Sequence, residues 1–103
     1  IELAPELSLA YTGRGNIFLN NKNYDQALND LNQAIKLEPD YAEAFYNRGL
    51  VFYFKKDFDR AVNDFSRSIE LNPNLVFAYL NRGICLNKKG SDQLAISDFT
   101  KFI

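Results

Sequence analysis

A chain of 103 residues is long enough for one domain. It is 47% hydrophobic and 24% charged with a formal net charge of −1, so no basic field invites nucleic acid or an anionic membrane surface. There is no histidine and one cysteine, Cys85. That excludes an internal disulfide, the usual imidazole base and the usual imidazole metal ligand. No apolar run approaches the roughly 20 residues of a membrane-spanning helix. The first 20 residues lack the basic start and apolar core of a signal peptide. A single cysteine fits a reducing compartment, and the cytoplasm is the expectation.

In chain order, the first landmark is Ile1-Glu2-Leu3-Ala4-Pro5, an ending that returns as Ile35-Lys36-Leu37-Glu38-Pro39 and Ile69-Glu70-Leu71-Asn72-Pro73. A proline just behind an apolar-periodic segment reads as a helix stop and a turn. Residues 1–4 are therefore expected to be the last turn of a helix. Each period of 34 residues then holds two helices, the first at about 8–21, 41–55 and 75–89 and the second at about 24–37, 58–71 and 92–103.

The first helices carry the motifs Tyr11-Thr12-Gly13-Arg14-Gly15, Phe45-Tyr46-Asn47-Arg48-Gly49 and Tyr79-Leu80-Asn81-Arg82-Gly83. The second helices show one apolar stripe each: Ala27, Leu31, Ala34, Ile35; Ala61, Phe65, Ser68, Ile69; Ala95, Phe99, Phe102, Ile103. Asn23, Asp57 and Ser91 stand where N-caps belong, Asp40 with Glu43 resembles a capping box, and Asn74 is a further cap candidate. Gly90 suits a left-handed helix end. Ile103 has the phase of Ile1, Ile35 and Ile69, so the expectation is a fragment of a longer array with both ends cutting through a helix.

These residues resemble the tetratricopeptide repeat, whose 34-residue pattern sets aromatic-x2-Leu-Gly-x2-aromatic on one helix, Ala-x3-aromatic on the next, and a closing proline. Tyr11, Gly15, Phe18, Ala27, Leu31 and Pro39 carry it. So do Phe45, Gly49, Phe52, Ala61, Phe65 and Pro73, and then Tyr79, Gly83, Leu86, Ala95 and Phe99. Arg14, Arg48 and Arg82 depart from the pattern's leucine, and Asp92 departs from the aromatic at Tyr24 and Phe58. The resemblance implies an all-α solenoid of antiparallel helix pairs in a right-handed superhelix. Its divisions are 1–7 as the end of a preceding repeat, 8–41, 42–75, and a truncated 76–103.

Glycine costs a helix interior roughly 1 kcal/mol, so Gly15, Gly49 and Gly83 at one phase point to close packing, with Ala27, Ala61 and Ala95 expected opposite. A phosphate-binding role for Gly13-Arg14-Gly15 is disfavoured because the motif lies within a helix. Arg14, Arg48 and Arg82 recur with Asp30, Asp64 and Asp98, each 16 residues later. Ion pairs bracing the helices are expected, with an anion-binding ladder as the alternative. Cys85 aligns with Ile17 and Val51 and reads as a buried thiol. Lys55-Lys56 and Lys88-Lys89 read as solvated helix ends. The carboxylates do not gather around a nucleophile or base, so the expectation is no enzyme, no cofactor and no metal.

The resemblance implies that the first helices line a concave surface. On their remaining face stand Asn16, Tyr46, Asn47, Leu50, Tyr53, Phe54, Phe77, Leu80, Asn81 and Ile84. Aromatic anchors with asparagines that donate and accept to a backbone suit a peptide or helix of a partner protein. Internal packing of those side chains is the competing reading. The clamp that captures acidic chaperone tails in this family needs Lys and Arg beside its asparagines. Asn16 and Asn47 match, but Thr12, Phe77 and Asn81 replace the basic residues, so no tight capture of such a tail is expected. The alternatives are a self-association or spacer module using exposed ends, and the targeting arm of a larger enzyme.

Overall fold

A computed structural model describes residues 4–103. The described residues form six helices: α1 (Ala4–Asn20), α2 (Tyr24–Leu37), α3 (Ala42–Phe54), α4 (Phe58–Leu71), α5 (Val76–Lys88) and α6 (Asp92–Phe102). They pair in sequence as three hairpins, α1 with α2, α3 with α4, and α5 with α6. Successive hairpins join through α2 against α3 and α4 against α5, while α1, α3 and α5 adjoin along one side. The result is an elongated body of 46 × 26 × 18 Å, the all-α arrangement that the resemblance implies.

One correction concerns the start. Helix α1 begins at Ala4 rather than near residue 8, and Pro5 lies in its first turn. Proline is tolerated there because its missing N–H has no helical partner to lose. The expected preceding helix end falls partly on residues 1–3, outside the described residues.

The turn within each hairpin is one device used three times. The backbone turns left-handed at Lys22 (φ 65°), Lys56 (φ 64°) and Gly90 (φ 85°). Asn23 N–H then reaches Phe18 C=O at 2.8 Å, and Lys22 N–H reaches Leu19 C=O at 3.0 Å. The same two bonds recur from Asp57 and Lys56, and from Ser91 and Gly90. This Schellman arrangement satisfies the last carbonyls of the first helix. Only Gly90 adopts the conformation without the cost of a Cβ.

The caps follow expectation at one end of the hairpin and not at the other. Asn23, Asp57 and Ser91 occupy the N-cap positions, but only the Asp57 side chain closes a bond, accepting from Arg60 N–H at 3.3 Å. At the turns between hairpins the N-caps are Tyr41 and Leu75, without side-chain bonds. The Asp40–Glu43 box does not form, and Asn74 instead gives its backbone N–H to Asn72 Oδ1 at 3.0 Å. These loops are held by backbone bonds such as Tyr41 N–H to Glu38 C=O and Leu75 N–H to Asn72 C=O.

The three repeated glycines face large side chains, not alanines. A Cβ on Gly49 would lie 2.8 Å from the Phe65 ring, one on Gly83 2.9 Å from the Phe99 ring, and one on Gly15 3.0 Å from Leu31 Cγ. The missing Cβ is the seat for the bulky residue of the Ala-x3-aromatic pattern. Ala27, Ala61 and Ala95 are buried, but none supplies the atoms nearest the glycines. Ile103, expected to finish a stripe, lies beyond α6 fully exposed.

The first helices bury two sides. Gly49 meets α4, while Val51 joins Leu19, Ala27 and Leu31 of the preceding hairpin in one cluster. Cys85 likewise joins Ala61 and Phe65. Burial pushes the Cys85 thiol up to about 11, against the opposing pull of Lys88 and Lys89.

Across each hairpin an arginine grips an aspartate with two bonds. Arg14 Nε and Nη2 donate to Asp30 at 2.7 Å each, Arg48 to Asp64 at 2.8 and 2.9 Å, and Arg82 to Asp98 at 2.7 Å each. The hydrogen bond to Asp98 raises the Arg82 guanidinium above its ordinary range despite burial, and Asp30 does the same for Arg14. The third arm reaches the preceding hairpin: Arg48 Nη1 donates to Asn32 Oδ1 at 3.0 Å and Arg82 Nη1 to Ser66 Oγ at 3.1 Å. Each ring preceding an arginine by three residues supports it from one side, with Tyr11, Phe45 and Tyr79 centroids 5.5–5.6 Å from the guanidinium carbon.

Candidate functional site

The side formed by α1, α3 and α5 contains two adjoining hollows. One, about 560 Å³, is lined by Asn16, Leu19, Asn20, Lys22, Tyr24, Leu50 and Phe54. The other, about 530 Å³, is lined by Tyr53, Phe54, Lys56, Phe58 and Lys88. Phe54 belongs to both and stands as the ridge between them, 51% exposed. Its ring lies parallel to Tyr24 with centroids 6.2 Å apart, and Tyr53 meets it edge-on at 5.1 Å. Tyr53 continues the contact to Phe58 at 6.0 Å. Four rings thus hold one another in place around a half-exposed centre, an arrangement that preserves apolar area with little rotamer freedom to lose.

The expected face separates into three groups. Asn16, Leu50, Tyr53 and Phe54 come together at the hollows. Tyr46, Leu50 and Tyr53 also pack against the core cluster of Ala61, Phe65 and Cys85, so internal packing claims part of each side chain. Tyr46 lies 5.7 Å from the Phe65 ring, and its hydroxyl accepts from Asn81 Nδ2 at 2.8 Å. Burial raises the Tyr46 phenol above its ordinary range, and the bond from Asn81 pulls against that shift. Asn81 is therefore spent on an internal bond between α5 and α3. Asn47, Leu80 and Ile84 are half-buried.

Phe77 lies apart from the hollows. It is 58% exposed near the start of α5, with its ring 5.5 Å from Phe102 of α6. Thr12, where the chaperone clamp has a basic residue, is buried and donates to Ser8 C=O at 2.8 Å. At the departed aromatic position, Asp92 accepts from Asn87 Nδ2 at 3.2 Å, so a polar bond replaces ring packing in the third hairpin.

The sequence shows Lys56 and Lys88 as solvated helix ends, whereas the place of Lys22 beside them on one rim emerges only from the fold. Lys22, Lys56 and Lys88 line the hollows, whereas Lys55 and Lys89 turn away to Asp25 and Asp59. The overlooked signal is that Lys22 and Lys56 share one repeat position, the left-handed turn. That turn places both at the same edge of the side. Among the described residues no helix is long and apolar enough to cross a membrane.

Comparison with known proteins agrees on the fold. A family model described as TPR repeat matches residues 15–56, and one described as tetratricopeptide repeat matches 42–75. No curated protein sequence matches the chain. Among solved structures, the Arabidopsis OM64 TPR domain is 27% identical with a TM-score of 0.93, covering 96% of this chain and 82% of that one. MamA is 28% identical with a TM-score of 0.88, covering 92% of this chain and 56% of its own. The second TPR of Spaghetti (RPAP3), bound to the HSP90 peptide SRMEEVD, is 21% identical with a TM-score of 0.92, covering 95% and 91%; it shares the fold alone. With the 34-residue period, the three like hairpins and these matches together, the chain belongs to the tetratricopeptide repeat family.

Proposed function

We propose that this protein-interaction module binds an extended or helical segment of a partner across α1, α3 and α5, seating apolar side chains in the two hollows beside Phe54. The observation that carries the reading is Phe54 itself, a half-exposed ring fixed by Tyr24 and Tyr53 between cavities of side-chain size. A rigid aromatic at the centre of a hollowed surface is the usual anchor of an interface. Asn16 and Asn47 are the asparagines left to meet a peptide backbone, since Asn81 is held by Tyr46. The lysine rim favours acidic residues flanking the apolar anchors.

A chaperone tail of the SRMEEVD kind, which the RPAP3 domain holds, does not fit this reading. Thr12 is turned inward, Phe77 leans on Phe102, and Asn81 is engaged. The test is to pan a random peptide library on the immobilised chain and titrate the selected peptide by calorimetry. Phe54→Ala is expected to weaken binding tenfold or more with little change in melting temperature. Unchanged affinity in that variant would remove the site from these hollows. Micromolar affinity for SRMEEVD would overturn the exclusion.

A further inference from the structure

At the hairpin turns the charged side chains sort into two sets. Lys55 pairs with Asp25 at 3.0 Å, Arg60 with Asp57 at 3.5 Å, and Lys89 with Asp59. Asp92 accepts from Asn87, so the aspartates of this edge are all engaged. Among the described residues Lys56 and Lys88 form no ion pair. Both are exposed, and both line the hollow of about 530 Å³ whose remaining wall is three rings, Tyr53, Phe54 and Phe58. Among the described residues no carboxylate lines it.

Lys56 stands in the left-handed turn after α3 and Lys88 in the last turn of α5, so the two reach this hollow from adjacent hairpins. The Phe52 and Tyr53 carbonyls at the end of α3 are already bonded by Asp57 N–H and Lys56 N–H. The two ammonium groups therefore set the local potential. The neighbouring hollow is built differently, with the single lysine Lys22 beside Asn16 and Asn20. One cation and two amides suit an apolar residue and its backbone, whereas two unneutralised cations over an aromatic wall call for a ring that carries more than one negative charge.

We propose that the hollow between Lys56 and Lys88 receives a phosphotyrosine of the partner. This rests on the reading of α1, α3 and α5 as the partner-binding side, and it fills one of the two hollows there. The phenyl ring lies against Tyr53, Phe54 and Phe58. The phosphate, with a charge of about −1.5 to −2 at neutral pH and three acceptor oxygens, takes a hydrogen bond from each ammonium. A carboxylate brings one charge and leaves a lysine unmatched. A phosphoserine brings the charge without a ring to cover the wall. Phosphotyrosine joins both in one side chain.

The test pans a random peptide library with a fixed central phosphotyrosine on the immobilised 103-residue chain. The best peptide is titrated by calorimetry beside the same peptide with tyrosine or phosphoserine at its centre. The phosphotyrosine form is expected to bind about tenfold or more tighter than either, and added salt should narrow the gap. Lys56→Gln and Lys88→Gln should each remove most of that advantage. Lys36→Gln, an equal loss of charge at an exposed site on α2, should keep it. Circular dichroism melts confirm that the variants fold. Equal affinity for the tyrosine form, with both forms lost in Phe54→Ala, overturns the phosphotyrosine and leaves the partner-binding side standing. Equal affinity for the phosphoserine form overturns it as well. No binder from this library or from an unbiased one overturns both readings.

Discussion

The first and the middle hairpin carry the same arginine, the same aspartate and the same bidentate bond, yet they are set in different surroundings. Arg48 is covered by the preceding hairpin and adds a bond to Asn32, with its side chain 23% exposed. Arg14 makes its aspartate bond with a side chain 62% exposed. Gly49 sits against a fully buried phenyl ring, Gly15 against a leucine branch. A repeat thus fixes which contacts form, while its neighbour decides how much each contributes.

The largest test of that contrast is Arg48→Leu. It strands Asp64, 6% exposed, and removes the bond to Asn32, so a loss of about 3 kcal/mol in chemical denaturation is expected. Arg14→Leu strands an Asp30 that is equally buried at 7%, but it removes an arginine 62% exposed with no bond to a second hairpin, so it should lose less. Asp64→Leu combined with Arg48→Leu should recover part of the loss. Equal losses at Arg14 and Arg48, or additive losses in the double variant, would break the comparison.

Next in size is the glycine series. Gly49→Ala forces the Phe65 ring to shift and should cost about 1–3 kcal/mol, although alanine is the better helix former. Gly15→Ala presses less closely, on Leu31 Cγ at 3.0 Å and Asp30 Cβ at 3.3 Å, and should cost less than Gly49→Ala. Gly13→Ala, with open space around it, should gain up to about 1 kcal/mol. Thermal melts of the three variants rank them, and a ranking without Gly49 as the worst would remove the glycine–aromatic account.

Smallest is the hairpin turn. Lys56→Gly relieves a left-handed residue carrying a Cβ at about 1–2 kcal/mol, offset in part by added freedom in the unfolded chain. A net gain of about 0.5 kcal/mol is expected, with Gly90→Lys losing a similar amount. Denaturation midpoints showing no gain at Lys56 and no loss at Gly90 would contradict the shared turn.

Much of this was legible without coordinates because it repeats. Pro39 and Pro73, the N-cap positions Asn23, Asp57 and Ser91, and the 16-residue spacing of Arg48 and Asp64 all encode local geometry at a fixed period. The partner of Gly49 was not legible, since which residue of α4 faces it depends on how the helices cross. Nor was the split of the groove face. The first helices bury one side against their own hairpin and another against the preceding one, so Tyr46 and Leu50 stand where apolar residues serve packing and surface at once. Phe54 could be singled out only when Tyr24 and Tyr53 were seen around it. Caps at Asp40 and Asn74 failed because backbone bonds at Tyr41 and Leu75 already close those turns.

Cys85 gives this architecture a built-in clock. The only sulfur in the chain is sealed at the junction of α4 and α5, with its proton held more tightly than in a free thiol. A reagent that needs thiolate reaches it only when the two hairpins part or the chain unfolds. The rate of its modification therefore times the breathing of one seam, separately from fraying at either end, and native cysteine chemistry reads the joint between repeats without an added probe.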